Sequence, residues 1–477
     1  MRQTARRLCG RPLAAYALGK QGKRLLWLPA MSFIALLSAG DAAPGETPPG
    51  LVEVAGLSLL ERQVRQVLKA GAPLAVVVAA ALPDAVAQRL HADSRVRRVA
   101  TADAAHGQLG CAATPIGAVL LLAPGILLDE RLVSSVARAE RIGDAPTLLV
   151  FDGEPPPGAE RIDAHAHWAG AALIPLSLVH ETLRDLGEWE LSGTLLRAAV
   201  GAGAGRIAVE SLPLYAPARR RAAPMLWARP TSAAAADDAT EAVIAAAQKG
   251  CLDWPARWIH PRIENQLVRW LLPTPITPNM VTCFTAILGV AATVLFAMGQ
   301  LWWGLALVLL IGPLDGVDGK LARARHDFSR WGDLEHVLDK AMEYAWYLAL
   351  GFWFASTGQG AAAWLAAGGI IVFALSEALK GEYFRRFTGR QLDDWGAFER
   401  RFRLVAGRRN TFFWTLVPFA ALGAWWAGFL TILAYAAITF AVAEWRFLLA
   451  LRAYAVTDGE KVAANFAATA YDFLPRA

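Results

Sequence analysis

The sequence predicts an α/β layered domain followed by an all-α domain of six transmembrane helices, and three observations carry that reading. Of the 477 residues 55% are hydrophobic and the mean hydropathy is +0.35, above the roughly 45–50% apolar content of soluble chains. Most of the 18 Trp and 20 Phe fall in the second half, where aromatics would sit at membrane interfaces. The first half is rich in Ala, Leu and Val with ordinary charge, and its short apolar runs alternate with helical periodicity, as layered α/β domains do.

The second half holds six apolar stretches, at about 280–299, 301–316, 335–356, 361–379, 411–424 and 427–449, several close to the ~20 residues that a spanning helix needs. Lys320, Arg323, Arg325 and Arg330 follow the second stretch. Lys380, Arg385, Arg386, Arg390, Arg400, Arg401, Arg403, Arg408 and Arg409 follow the fourth. The opposite connections, GQLWW, STGQG and GAWWAG, carry no charge. The positive-inside rule then puts both charged loops and both ends of the six-helix unit in the cytoplasm. A net charge of +6 is therefore a matter of membrane topology, and no nucleic-acid partner is expected.

In the first half, Arg24 and the LLWLPAMSFIALLSAGDAA that follows it mimic a signal peptide. A translocated domain contradicts the topology above, so Phe33–Leu37 is read as a buried strand and residues 1–30 as an extension. The next stretch, LVEVAGLSLLERQVRQVLKAGA, has Ser58 and Glu61 at capping-box spacing ahead of a helical pattern. Leu74–Ala79, Ala118–Leu122 and Thr147–Phe151 are further strands. Residues 31–250 make the α/β domain, with an irregular Pro/Ala-rich margin at 216–237. Residues 251–279 are an amphipathic lead-in carrying Arg257, Trp258, Arg262, Arg269 and Trp270, suited to a membrane interface. The membrane domain spans 280–455 and a tail 456–477. The four cysteines, Cys9, Cys111, Cys251 and Cys283, have no CxxC spacing, which argues against a zinc site or a redox pair.

The chemistry gathers in GPLDGVDGKLARARHDFSRWGDLEHVLDK, Gly312 to Lys340. Asp315 and Asp318 are three residues apart and Glu335 and Asp339 four apart, so each pair shares one helix face. An antiparallel hairpin would bring four carboxylates together. Such acids at membrane depth are costly and repel one another, and Mg²⁺ or Mn²⁺ held by oxygen ligands is the natural compensation. Gly316 and Gly319 would allow close backbone approach to a ligand, and Arg323 offers a guanidinium fork for phosphate. Helix-end acids paired with Lys320, Arg323 and Lys340 are the plainer reading of any one of these residues.

The stretch resembles the signature of the CDP-alcohol phosphotransferase (CDP-alcohol phosphatidyltransferase) family. Asp315, Asp318, Gly319, Ala322, Arg323 and Gly332 match its spacing. After Gly332 strict spacing falls on His336 and Lys340, whereas a register shortened by one residue falls on Glu335 and Asp339. The resemblance implies six transmembrane helices, usually in a homodimer, with Asp315, Asp318 and Glu335 as metal ligands and Asp339 as ligand and general base. It also implies a CDP-linked donor, CDP-diacylglycerol or a CDP-alcohol, and a polyol or polyol-phosphate acceptor. The donor would contact Asn279, Thr282, Asp315, Gly319, Ala322, Arg323 and Gly332, since Thr277-Pro278-Asn279 with Thr282 is similar to the family's TPN-x-x-T segment. Arg408 and Arg409 are the candidates for acceptor phosphate, because guanidinium pairs bind it bidentately. Membrane lipid surrounds the unit, and the expected location is the inner (cytoplasmic) membrane.

Residues 32–250 are similar to sugar-phosphate nucleotidyltransferases, a Rossmann-like fold. That fusion resembles bifunctional enzymes whose soluble half makes the CDP-alcohol. Here GDAAPGETPPG after the first strand lacks the family's Arg and Lys, and Ala123-Pro124-Gly125 stands where its metal-binding Asp belongs. Without those charges nucleotidyl transfer loses its electrostatic support, so the domain is expected to be degenerate. A bifunctional enzyme and a non-enzymatic membrane scaffold are the competing readings.

Overall fold

The computed structural model describes residues 32–109, 116–139, 145–187, 189–329 and 332–453, with 462 and 465; for 32, 332–336 and 453 it describes the backbone alone. The 1–30 extension and nearly all of the 456–477 tail lie outside the described residues. The chain divides into two compact units. The first runs to Leu214 and resumes over Ala223–Ala246; the second takes Tyr215–Ala222 and everything from Ala247.

The first unit is built on β1 (Ser32–Ser38), with a small hairpin of β2 (Glu53–Val54) and β3 (Leu57–Ser58) after it. β4 (Ala75–Val78), β5 (Val96–Val99) and β6 (Ile116–Leu122) follow, then the short β7 (Leu127–Leu128). β8 (Thr147–Phe151), β9 (Glu160–Arg161), β10 (His167–Pro175) and β11 (Gly205–Ala208) complete the main set. The main sheet runs β11-β8-β10-β6-β1-β4-β5, with β9 beside β10. β1 lies parallel to both β4 and β6. Strands so placed are covered on both faces, and their sequences accordingly read as unbroken apolar runs. Ile34, Leu36, Val76, Val119 and Leu149 are fully buried.

Helices α1 (Leu59–Lys69), α2 (Asp84–His91), α3 (Ala102–Leu109), α4 (Glu130–Ala137), α5 (Leu176–Arg184), α6 (Leu191–Gly201) and α7 (Ala233–Ala246) complete this unit. α1 starts with the expected capping box: Glu61 N donates to Ser58 Oγ and Ser58 N to the Glu61 carboxylate. Part of the expected Pro/Ala-rich margin is helical, since α7 begins at Ala233 in a run of four alanines, the strongest helix former.

The second unit begins with the two-residue strands β12 (Tyr215–Ala216) and β13 (Arg221–Ala222); β14 (Trp227–Ala228) pairs with β7 in the first. Helices α8 (Trp254–Trp258), α9 (His260–Leu271), α10 (Pro278–Ala297), α11 (Leu301–Arg325), α12 (Gly332–Phe354), α13 (Ala361–Thr388), α14 (Ala397–Val405), α15 (Arg409–Ala421) and α16 (Trp425–Ala453) follow. Phe296, Trp346, Tyr347, Phe413 and Phe429 fill the bundle core. Among the described residues four helices, α10, α11, α13 and α16, are long and apolar enough to cross a membrane. The other two apolar stretches differ for separate reasons. α15 has 13 residues, short of the ~20 a span needs. α12 opens on a charged segment, DLEHVLDK, which lowers the hydropathy of its first turns.

Candidate active site

α11 carries Asp315 and Asp318 on adjacent turns, and the two meet different partners. Asp318, 2% exposed, accepts a hydrogen bond from Thr282 Oγ1 at 2.7 Å and another from the backbone N of Gly319. Thr282 is placed by the start of α10: Thr277 caps that helix by accepting from Met280 N, and Pro278 takes the first-turn position where its missing N–H costs nothing. Asn279 is exposed beside it.

Asp315 meets Arg409, whose Nη2 lies 2.5 Å from Asp315 Oδ2 while its Nη1 stands 3.8 Å from Asp339 Oδ1. One guanidinium thus gathers carboxylates from α11 and α12. It does so from the first residue of α15, where Arg408 N, just before it, donates to Thr411 Oγ1 at 2.7 Å. Arg409 keeps 13% of its side chain exposed, Asp315 26% and Asp339 19%. The site is a shielded rim rather than an open surface, so these charges act on one another more strongly than in water. Arg408 points elsewhere, its Nη2 3.6 Å from Asp393.

Arg323 Nε donates to the carbonyl of Ala247 at 2.6 Å, and Ala322 is half-buried beside it. Gly332 begins α12, and the side chain of Glu335 is outside the described residues. Gly316 differs from expectation. A Cβ there would collide with the Glu264 carboxylate of α9, and one on Gly312 would stand 2.8 Å from His260 Cε1. The two glycines, one helical turn apart, make room for a neighbouring helix rather than for a ligand.

Several participants had no signal in the motif. Glu264, 5% exposed, pairs with Lys320 at 2.8 Å, and Lys320, 1% exposed, also donates to Asn265 Oδ1 at 2.6 Å. Burial raises the Glu264 pKa, and Lys320 works against that rise. Glu264, one turn after His260 and one of two acids in an otherwise basic lead-in, was the available clue. Glu343, one turn beyond Asp339, is buried with Lys340 Nζ at 2.7 Å and Tyr347 Oη at 3.0 Å. Arg325 donates to the carbonyls of Leu271, Leu272, Thr274 and Ile276 at 2.6–2.9 Å, which binds the end of α11 to the turn leading into α10.

The donor set of Asp315, Asp318 and Asp339 is all oxygen, the chemistry that hard divalent cations select. A cation already sits between Asp315 and Asp339 in the form of Arg409. Among the described residues no three His, Cys, Asp or Glu side chains form a closed ligand group, and Glu335 is not among those whose side chains are described.

Residues 275–390 match the family model described as CDP-alcohol phosphatidyltransferase. The phosphatidylinositol phosphate synthase of Mycobacteroides abscessus is 34% identical over 146 residues, 30% of this chain and 66% of that one. The inner membrane protein YnjF of Escherichia coli is 32% identical over 160 residues, 32% of this chain and 73% of that one. Among solved structures, the inositol-1-phosphate CTP transferase from T. maritima is 16% identical and covers 43% of this chain and 91% of its own, with a TM-score of 0.31, too slight a likeness to carry an argument. The match to known sequences defines a transferase of membranes. The chain belongs to the CDP-alcohol phosphatidyltransferase family.

Proposed function

We propose that the protein moves a phosphatidyl or phospho-alcohol group from a CDP-linked donor to an alcohol, releasing CMP, as a step of phospholipid synthesis. The observation that carries this is the gathering of Asp315 and Asp339, from different helices, on Arg409, with the Asp318–Thr282 pair one turn away. The name of the M. abscessus relative, phosphatidylinositol phosphate synthase, favours CDP-diacylglycerol as donor and a phosphorylated polyol as acceptor.

In this reading Asp339 takes the proton of the acceptor hydroxyl, whose oxygen attacks the phosphorus distal to cytidine. The bond from that phosphorus to the bridging oxygen breaks, and its electron pair leaves with CMP. Asp315, Asp318, Glu335 and Asp339 would hold Mg²⁺ or Mn²⁺, which when bound neutralises the charge building on the pyrophosphate. Thr282 holds Asp318 in place, and Asn279, Gly319, Ala322, Arg323 and Gly332 line the donor side. Arg409 takes the acceptor phosphate, and Arg408, which points to Asp393 in this structure, is the second candidate for it. Six membrane helices in a homodimer, with the site facing the cytoplasm at the inner membrane, complete the proposal.

The first unit is proposed as non-catalytic. Where a nucleotide would enter above β1, Pro49 fills the space: a Cβ on Gly125 would lie 2.5 Å from Pro49 Cβ, and one on Gly40 2.7 Å from Pro49 Cγ. Gln63 takes the carbonyls of Ala123 and Ile126 at 2.8 and 3.0 Å.

The test is CMP release by the detergent-solubilised protein with Mg²⁺ or Mn²⁺, given CDP-diacylglycerol or CDP-alcohols and a panel of polyols and polyol phosphates. Release that depends on metal and drops about 10²–10⁴-fold in Asp339→Asn is expected, the scale of a lost general base. A folded, dimeric protein that releases no CMP from any donor would instead be a membrane scaffold.

A further inference from the structure

Residues 215–222 are flanked on both sides by the first unit in sequence, yet they belong to the second. β12 and β13 pair there across a turn at Pro217–Arg219, and Arg220 closes the turn with a φ of +52°. A left-handed backbone at a residue with a side chain costs of order 1 kcal/mol, and surrounding structure must hold it. Cys251, packed on the same turn, also has a positive φ of +53°. Gly250 between them donates its N–H to Arg219 O at 2.7 Å, and a Cβ there would lie 2.8 Å from that of Arg221. Two strained residues and one obligatory glycine therefore meet at a single contact.

That contact presents Arg220. Its Nη1 lies 3.1 Å from both carboxylate oxygens of Asp393. Arg403 Nε lies 3.0 Å from the same carboxylate, out of line for a hydrogen bond, and Arg408 Nη2 lies 3.6 Å away. Burial alone would raise the Asp393 pKa, and the three guanidiniums overcome it and hold the carboxylate below its ordinary value. The neighbouring Asp394 pairs with Arg400 at 2.6 Å and accepts from Cys251 Sγ at 3.4 Å, while the Arg400 guanidinium lies over the Tyr215 ring at 5.6 Å. One carboxylate facing three cations is under-charged, so removing any one cation redistributes the other two.

Arg408 is one of those two, and its neighbour Arg409 is the group that gathers Asp315 and Asp339. We propose that the Tyr215–Ala222 hairpin is a positioning element for the reaction: Arg220, acting through Asp393, sets the place of Arg408 and thereby of the loop that delivers Arg409 to the carboxylates. This rests on the transferase reading, and it assigns to the hairpin a role in acceptor recognition rather than in donor binding. The residues involved come from positions 215–222, 250–251 and 393–410, so the loop is not completed by the matched segment 275–390.

The experiment uses the full chain in detergent with two readouts. In the first, kinetics with CDP-diacylglycerol and a polyol phosphate compare wild type, Arg220→Gln and Arg220→Lys. Arg220→Gln is expected to raise the KM for acceptor about fivefold, the scale of one partly exposed ion pair, with the donor KM unchanged. Arg220→Lys, which keeps the charge, should stay within about twofold of wild type. In the second, amide hydrogen exchange over residues 391–411 should quicken in Arg220→Gln while β1 and α10 stay as in wild type. An active enzyme whose acceptor KM does not move overturns the proposal even if exchange quickens, since the hairpin is then merely structural. Equal rises in donor and acceptor KM overturn it too. If Arg220→Gln proves globally unfolded, Asp393→Asn, which removes the charge that Arg220 and Arg408 share, decides: an acceptor KM moved with donor KM unchanged supports the proposal, and no movement overturns it. A wild type that releases no CMP sinks the transferase reading instead, and unchanged exchange over 391–411 would then sink the hairpin contact by itself.

Discussion

The two units of this chain both bury charge, but in different amounts and for different ends. In the first, the core is mainly Ile, Leu, Val and Ala, and its buried ions serve local structure: Glu61 and Asp129 help to cap α1 and α4, and Arg62 donates to the Val54 carbonyl. In the second, buried charge recurs: Asp318, Lys320, Glu264, Glu343 and Arg403 are all at most 9% exposed. An apolar core needs nothing beyond shape, whereas each buried ion has to be matched by a partner or it costs several kcal/mol. Such costs are kept where they do work, and the second unit is where the candidate chemistry lies.

The largest expected effect bears on that matching. Glu264→Ala should leave Lys320 buried without its carboxylate and cost about 3–5 kcal/mol, read as a drop in the midpoint of thermal unfolding in detergent. A change below about 1 kcal/mol would mean that Asn265 alone satisfies the ammonium, and the contrast between the units would soften. Next comes the first unit's core. Leu36→Ala, at a fully buried position in the central strand, should cost about 2–5 kcal/mol through the cavity it leaves. Limited proteolysis of the first unit reads that loss, while CMP release per folded molecule stays at the wild-type level. A parallel loss of CMP release would break the comparison, because the sheet would then be part of the catalytic machinery. The smallest effect tests local design. Ser58→Ala removes one half of the α1 capping box and should cost about 1 kcal/mol, seen as a shift in the denaturation midpoint of the first unit without change in the second.

Much of the fold was legible because its signals are local. The Ser58–Glu61 box, the apolar runs that became β1, β4, β6 and β8, and the start of α10 at Thr277-Pro278 each lie within a few residues of the structure they set. The spans were harder to read. A hydropathy stretch does not say where a helix starts, and α15 proved short while α12 opened on charge. Within the site, the spacing of Asp315, Asp318 and Asp339 was readable, but Gly316 was assigned to a ligand when it serves α9.

What the amino-acid sequence determined by itself was the set of groups available: two acids on adjacent turns of one helix, another at the start of the next, and basic residues grouped in two loops. Spacing decides this, because residues three or four apart on a helix must share a face. Which cation meets which acid was decided by tertiary structure alone. Arg409 reaches Asp315 across 94 residues, Lys320 finds Glu264 across a helix crossing opened by two glycines, and Arg220 reaches Asp393 across 173. A charge has no preferred partner along the chain. Its partner is whichever opposite charge the packing carries into the same shielded place, and there the cost of leaving either one unpaired holds them together.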